Sequence, residues 1–185
     1  MRRLIDIFFS FIAIIILFPL LLLTMLILRC SGEGEIFYVQ KRIGYKGVQF
    51  GVLKFATMLK NSPNIGAGEI TLKEDPRVLP IGRFLRKSKL NELPQLWNIF
   101  IGDMSLVGPR PCLPELAEKF DANGKKRNNV KPGLTGLAQV NGNIFLSWQK
   151  RWEYDAYYVE NKSLLLDFKI LYLTLKVLIK GENRF

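Results

Sequence analysis

The residues best suited to chemistry lie in KLNELPQLWN, Lys89–Asn98. There one carboxylate, Glu92, stands beside the neutral amide of Asn91, just after a basic run of Arg83, Arg86, Lys87 and Lys89. A second candidate is Arg110, whose flanking prolines in GPRP would hold its guanidinium ready for two-pronged contact with phosphate. Asp167 is a third, because a carboxylate inside LLLDFKIL needs a partner or a function. Arginines for phosphate and one or two carboxylates for a divalent cation point to phosphate chemistry. Each feature also has a plainer reading. A Pro-Arg-Pro turn can be a rigid surface corner, the basic run a solvated or lipid-facing stripe, and Asp75 and Asp103 caps or turn residues.

Composition narrows the classes. With no histidine among 185 residues, any general acid or base must be a carboxylate, Tyr, Lys or Cys, and histidine-ligated metals are excluded. Cys30 and Cys112 stand far apart and outside any CxxC pattern, which fits a reduced, cytosol-facing protein. Neither a GxxxxGK[ST] loop nor a GxGxxG turn after a strand is present. The net charge of +11 suits an acidic partner: nucleic acid, anionic lipid or a phosphorylated substrate.

The elements that must position these residues begin with Ile7–Leu28, an uncharged run of 22 residues. That is long enough to cross a hydrocarbon core of about 30 Å. Arginine or lysine follows it as well as precedes it, and Pro19 near its middle should bend a helix. A helix that enters and leaves on one side and an ordinary single-pass helix both fit. Val39–Met58, with three glycines between short apolar runs, predicts a β-hairpin or small sheet. Residues 61–70 read as a loop, and the helix after Asn91 should stop near Gly102. GDMSLVGPRPCLPEL is too proline-rich for a helix, Val130–Gly142 reads as a loop or short strand, and SWQKRWEYDAYYVEN reads as a helix. In the last stretch Lys169, Lys176 and Lys180 fall within about 40° of one another on a helical wheel, opposite Asp167 and Thr174. Such a helix lies either at a membrane interface or in the core with its lysines reaching out.

The ordered set KFATM, DPRVLPIGRFLRKSKLNELPQLWN, GDMSLVGPRP, KPGLTGLAQVNG and LLLDFKI resembles the bacterial sugar transferase family of small monotopic phosphoglycosyl transferases, across essentially the whole chain. The resemblance implies a compact α/β membrane domain with a re-entrant N-terminal helix broken at Pro19 (residues 1–30). A cytosol-facing catalytic domain (residues 31–185) would follow, with a small hairpin and interfacial amphipathic helices carrying Lys169, Lys176 and Lys180. It implies transfer of a phosphosugar from a UDP-sugar to undecaprenyl phosphate with release of UMP. This would happen at the cytoplasmic face of a bacterial inner membrane, as the first membrane step of a surface glycan, with Mg2+ as cofactor. A homodimer and downstream glycosyltransferases are further partners it suggests.

Residue by residue, Glu92 matches the glutamate of the family's Asp-Glu pair, and Asn91 stands where the attacking aspartate belongs. Arg86 matches a phosphate-binding arginine and Arg110 the arginine of the Pro-Arg-Pro motif thought to hold the nucleotide. Lys54 and Gln139 join them as phosphate or nucleotide contacts, while Glu92, Asn91 and Asp167 form the implied metal set. Asn143 is a second departure, at a position where the family commonly has arginine. A neutral amide is a poor nucleophile and a weaker magnesium ligand. Several routes stay open: Glu92 as nucleophile, Glu92 as base and metal ligand in direct displacement by polyprenyl phosphate, another carboxylate such as Asp103 or Asp167 moving in, or a variant with little activity. A silent protein that binds UDP-sugar or polyprenyl phosphate and scaffolds the pathway is the rival class. A tethered nucleic-acid binder is a third, without a visible module.

Overall fold

The longest element, α1 (Arg2–Arg29), is also the most apolar, and it runs as one continuous helix with Pro19 inside it. The computed structural model describes residues 1–66, 72 and 74–180. One face of α1 leaves Phe8, Phe11, Ile15, Phe18, Leu22 and Leu26 exposed. Its other face packs on the rest of the chain from end to end. Ala13, Ile14 and Leu17 meet a core of Val52, Leu96, Ile99 and Met104, while Leu21, Met25 and Leu28 meet Phe55 and Leu85. At its start Arg3 donates to the carbonyls of Ile99 and Phe100, and Asp6 accepts from the Ser105 hydroxyl and the Leu106 amide.

The hairpin expected between Val39 and Met58 is β1 (Phe37–Ile43) paired antiparallel with β2 (Gln49–Phe55), Gln40 opposite Val52 and Tyr38 opposite Lys54. Part of the loop expected over residues 61–70 lies outside the described residues; Ser62–Asn64 makes a short 3-10 turn. Helix α2 (Pro80–Lys87) opens on proline, which spares it an unpaired N–H. A 3-10 turn, Leu90–Glu92, leads to α3 (Gln95–Ile101), which ends at Gly102 with φ 102°, as expected of a glycine stop.

The proline-rich segment holds β3 (Ser105–Val107) and, against the expectation of no helix, the start of α4 (Pro114–Ala117), which opens on proline; α5 (Ala122–Lys126) follows it. These two short helices form the crossover to β4 (Gly133–Thr135), which pairs parallel with β3. A parallel neighbour was not legible, because a three-residue strand carries almost no periodicity. Gly108 and Gly133 cross back to back: a Cβ on Gly133 would lie 2.1 Å from the Gly108 nitrogen. Helices α6 (Leu137–Val140), α7 (Trp148–Asn161, capped by the Ser147 hydroxyl) and α8 (Leu164–Lys180) complete the order.

Along α8, Ile170 is fully buried, while Leu165, Phe168, Tyr172, Leu175, Leu178 and Ile179 are exposed together with the three lysines. Thr174 faces inward and shares a 2.7 Å hydroxyl contact with Thr135 of β4. Most of the apolar surface of α8 is therefore outside the core. The whole is a mixed α/β architecture with two small sheets and an apolar N-terminal helix.

Candidate active site

Four segments distant in sequence deliver the site. The tight turn after α2, with Lys89 in the left-handed region at φ 61°, swings Leu90–Glu92 back over the hairpin. Glu92 there meets Arg110 in a two-pronged ion pair: Nη1 lies 3.2 Å from Oε2, and Nη2 contacts Oε1. Burial alone would push the Glu92 carboxyl up, but Arg110, then Lys54 and Lys89, hold it down at about 2.

From β2, Lys54 places its ammonium 2.9 Å from Gln40 Oε1, which also accepts at 2.6 Å from Arg42 Nη2. The period of two along β1 and its register with β2 put Gln40, Arg42 and Lys54 on one face. One buried carboxamide oxygen thus draws two cations together beside Glu92. Burial first, then Arg42, brings the Lys54 ammonium down to about 7, with Glu92 pulling the other way. Arg86 of α2 is half-buried, its Nε 2.8 Å from the Thr57 hydroxyl, and the Glu92 charge acts on it. Arg83 and Lys87 face outward, so the basic run divides by helix face into two site residues, Arg86 and Lys89, and two exposed ones. Four cations, Arg110, Lys54, Lys89 and Arg86, therefore feel the Glu92 carboxylate, and Arg42 joins Lys54 at Gln40 to make five basic side chains in the cluster.

Asn91 is half-buried beside Glu92. Gln139 lies on α6 and donates to the Leu134 carbonyl at 3.0 Å, against the β3–β4 backbone. Asp167 is elsewhere: it pairs with Arg2 at 3.0 Å and accepts from the Tyr158 hydroxyl at 2.8 Å, and the charges that act on it are Arg2 and Asp6. Its need for a partner is met by the start of α1. Asp75 is bound by Arg77, which also holds the carbonyls of Ser62 and Ile65, and Asp103 takes a 3.3 Å contact from Asn98. Pro19 sits within α1, and Lys169, Lys176 and Lys180 lie on the exposed side of α8. Gln40, Arg42 and Asp6 had no signal in the sequence, since each depends on a register or a long-range contact.

Magnesium usually takes one or two protein carboxylates and fills its shell from water and substrate phosphates. Glu92 and the adjoining Asn91 carboxamide are oxygen donors of that kind. Among the described residues no group of three or more acidic or cysteine side chains gathers. The donor set fits an ion shared with a phosphorylated substrate and not a closed protein cage.

The site is a cluster of basic side chains that share a carboxylate, on a chain that also exposes apolar faces on α1 and α8. The chain belongs to the bacterial sugar transferases, whose model matches residues 1–181. It is 40% identical over 198 residues to the exopolysaccharide production protein ExoY of Sinorhizobium fredii, covering all of this chain and 88% of that protein. It is 37% identical to an uncharacterized sugar transferase, EpsL, of Bacillus subtilis, covering 99% of this chain and 89% of that one. It is also 35% identical to the undecaprenyl-phosphate galactose phosphotransferase of Salmonella typhimurium, where all of this chain corresponds to 42% of the longer protein.

Proposed function

We propose that this protein transfers a phosphosugar from a UDP-sugar to undecaprenyl phosphate, releasing UMP, at the cytoplasmic face of a bacterial inner membrane. The observation that carries the reading is the gathering of basic side chains with the ionised Glu92 carboxylate. Such a cluster suits a polyanionic ligand, and a diphosphate meeting a monophosphate is one. The named phosphotransferase relatives supply the chemical class.

Glu92 is permanently ionised and both its oxygens are engaged by Arg110. A carboxyl held at about 2 is a weak base and a subdued nucleophile. The acceptor phosphate, in contrast, is already anionic and needs no proton removed. The reading is direct displacement: an acceptor oxygen forms a bond to the sugar-bearing phosphorus, the bond to the bridging oxygen breaks, and UMP departs with that oxygen. Lys54, Arg86 and Lys89 neutralise the charge spread over the transferring group, and Arg110, parked on Glu92, turns to the nucleotide phosphates. Glu92 and Asn91 would hold magnesium, which adds Lewis-acid neutralisation of the phosphate oxygens.

Membrane seating follows from the exposed apolar faces of α1 and α8. Contacts at Arg2, Arg3 and Asp6 at one end of α1, and at Leu28 at the other, are with one and the same body. That supports a helix whose two ends stay on one side of the bilayer, although the break expected at Pro19 is absent and α1 runs unbroken from Arg2 to Arg29. Asn91 favours a second reading, a protein that binds these ligands without turnover. The test is UMP release in nanodiscs from a panel of UDP-sugars with undecaprenyl phosphate and magnesium. Acceptor-dependent release supports transfer; binding of UDP-sugar without release supports the silent binder.

A further inference from the structure

The Pro109-Arg110-Pro111 turn has an unusual weakness. Both prolines lack an N–H, so the turn has few donors of its own and must be held through its carbonyls from outside. The Pro109 carbonyl accepts from the Gly133 amide at 2.9 Å. The Pro111 carbonyl has only a long 3.5 Å contact from Arg42. The Arg110 carbonyl is held by a side chain, the Nη2 of Arg127. Arg127 comes from the 3-10 turn Arg127–Asn129, and its side chain is only 7% exposed.

Asp155 of α7, 4% exposed, faces the same nitrogen at 3.2 Å, and the Arg127 guanidinium lies over the Phe120 ring, 5.2 Å from its centroid. Phe120 in turn meets Trp152 edge-on. Burying an ion pair contributes little net stability, and apolar side chains of the same volume hold a core at least as well. The reason for keeping charge here lies in what Arg127 touches.

We infer that Arg127, held in place by Asp155, is a positioning residue that fixes the backbone of Arg110 so that its guanidinium points at Glu92 and at an incoming phosphate. It touches no substrate itself. This rests on the reading of Arg110 as a phosphate-binding residue, and it adds the part of the fold that aims it. The shape of the anion site then depends on a contact between α7 and the β3–β4 crossover, far from Glu92 in sequence.

The test is a mutant cycle on the full-length protein in nanodiscs, comparing Arg110→Ala, an apolar double variant Arg127→Met with Asp155→Leu, and the combination. Inorganic pyrophosphate affinity is measured by calorimetry beside UMP release and the thermal midpoint. The apolar variant should keep its midpoint yet bind pyrophosphate about tenfold or more weakly, as loss of a charge-assisted hydrogen bond predicts. Adding Arg110→Ala should then weaken binding little further, because both changes disable one group. Should the apolar variant fail to fold, Arg127→Lys, which keeps the charge beside Asp155 but not the fork, takes its place. Native pyrophosphate affinity in the folded variant, or losses that simply add, would overturn the inference. If the native protein releases no UMP from any donor while the pyrophosphate cycle behaves as stated, the transferase reading fails and the positioning role stands.

Discussion

Replacing Glu92 with glutamine keeps the size of the side chain and removes the negative charge that Arg110, Lys54 and Lys89 share. The drop of its carboxyl from 4.5 to about 2, against the opposing effect of burial, corresponds to about 3 kcal/mol of net interaction with those cations. The change has two further effects. Lys54, at about 7 and so already mostly neutral at pH 7.5, loses the charge that favoured its protonated form, but it has only a fraction of a proton left to give up, and the site becomes more positive. Arg110 loses its parking place and samples other rotamers. Phosphate affinity should therefore hold or rise, while kcat/KM for the UDP-sugar falls roughly 100-fold, the size of the lost interaction. UMP release under saturating undecaprenyl phosphate, with KM and kcat resolved separately, reads this directly. Full native activity would refute any role for the carboxylate. A fall to the uncatalysed background would mean that Glu92 does more than hold Arg110 in place, as a magnesium ligand or as a group that bonds to phosphorus. Linkage supplies an independent check. A carboxyl lowered on folding contributes stability that is present above pH 4.5 and lost as the pH falls toward about 2, so the acid-unfolding difference between native and variant should be confined to that window.

Lys54 should take up a proton when pyrophosphate binds, since its ammonium sits near 7 and an anion raises it; calorimetry in buffers of different ionisation enthalpy should show uptake at pH 8 that Lys54→Arg abolishes. Because the protonated form is the one that burial disfavours, this lysine's contribution to stability should grow as pH rises above about 7. Asn91→Asp places a second carboxylate where the cations can keep it ionised, and should give a stoichiometric UMP burst without acceptor, which the native protein should lack; a burst from the native chain would end the direct-displacement reading. Leu28→Ala, at a fully buried site against Phe55 and Leu85, should cost about 2–5 kcal/mol, seen as a lower thermal midpoint with native KM. A membrane-impermeant maleimide applied from the cytoplasmic side should label both the exposed Cys30 and an Arg2→Cys variant; labelling of the two from opposite sides would establish a spanning helix.

Strong local signals in the sequence became elements where expected. The glycine-punctuated run became the β1–β2 hairpin, Gly102 ended α3, and SWQKRWEYDAYYVEN became α7. The candidate site was legible as residue types, Glu92, Arg110, Arg86 and Lys54, because motifs of this length bring their neighbours with them. Its assembly was not. Gln40 draws Arg42 and Lys54 together only through the register of two strands, and nothing in QKR marks a shared acceptor. The parallel β3–β4 pair was hidden because three-residue strands have no period, and its true signature is the pair of glycines that let the backbones cross. Asp167 read as a residue in need of a partner, but that partner, Arg2, lies 165 positions away. Long-range ion pairs of this kind leave no trace in local pattern.

The packing of α1 has a consequence for how the protein is made. This helix is translated before its polar anchors, the carbonyls of Ile99 and Phe100 and the Ser105–Leu106 segment, which follow about a hundred residues later. In the interval its inward face must be sheltered by lipid or by a chaperone, and it must then exchange that shelter for Val52, Ile99 and Met104. Folding of residues 31–180 is thus a docking reaction onto a helix that has already formed. A polypeptide beginning after residue 30 would lack one wall of both core clusters that α1 shares, and should collapse or aggregate instead of becoming a soluble enzyme.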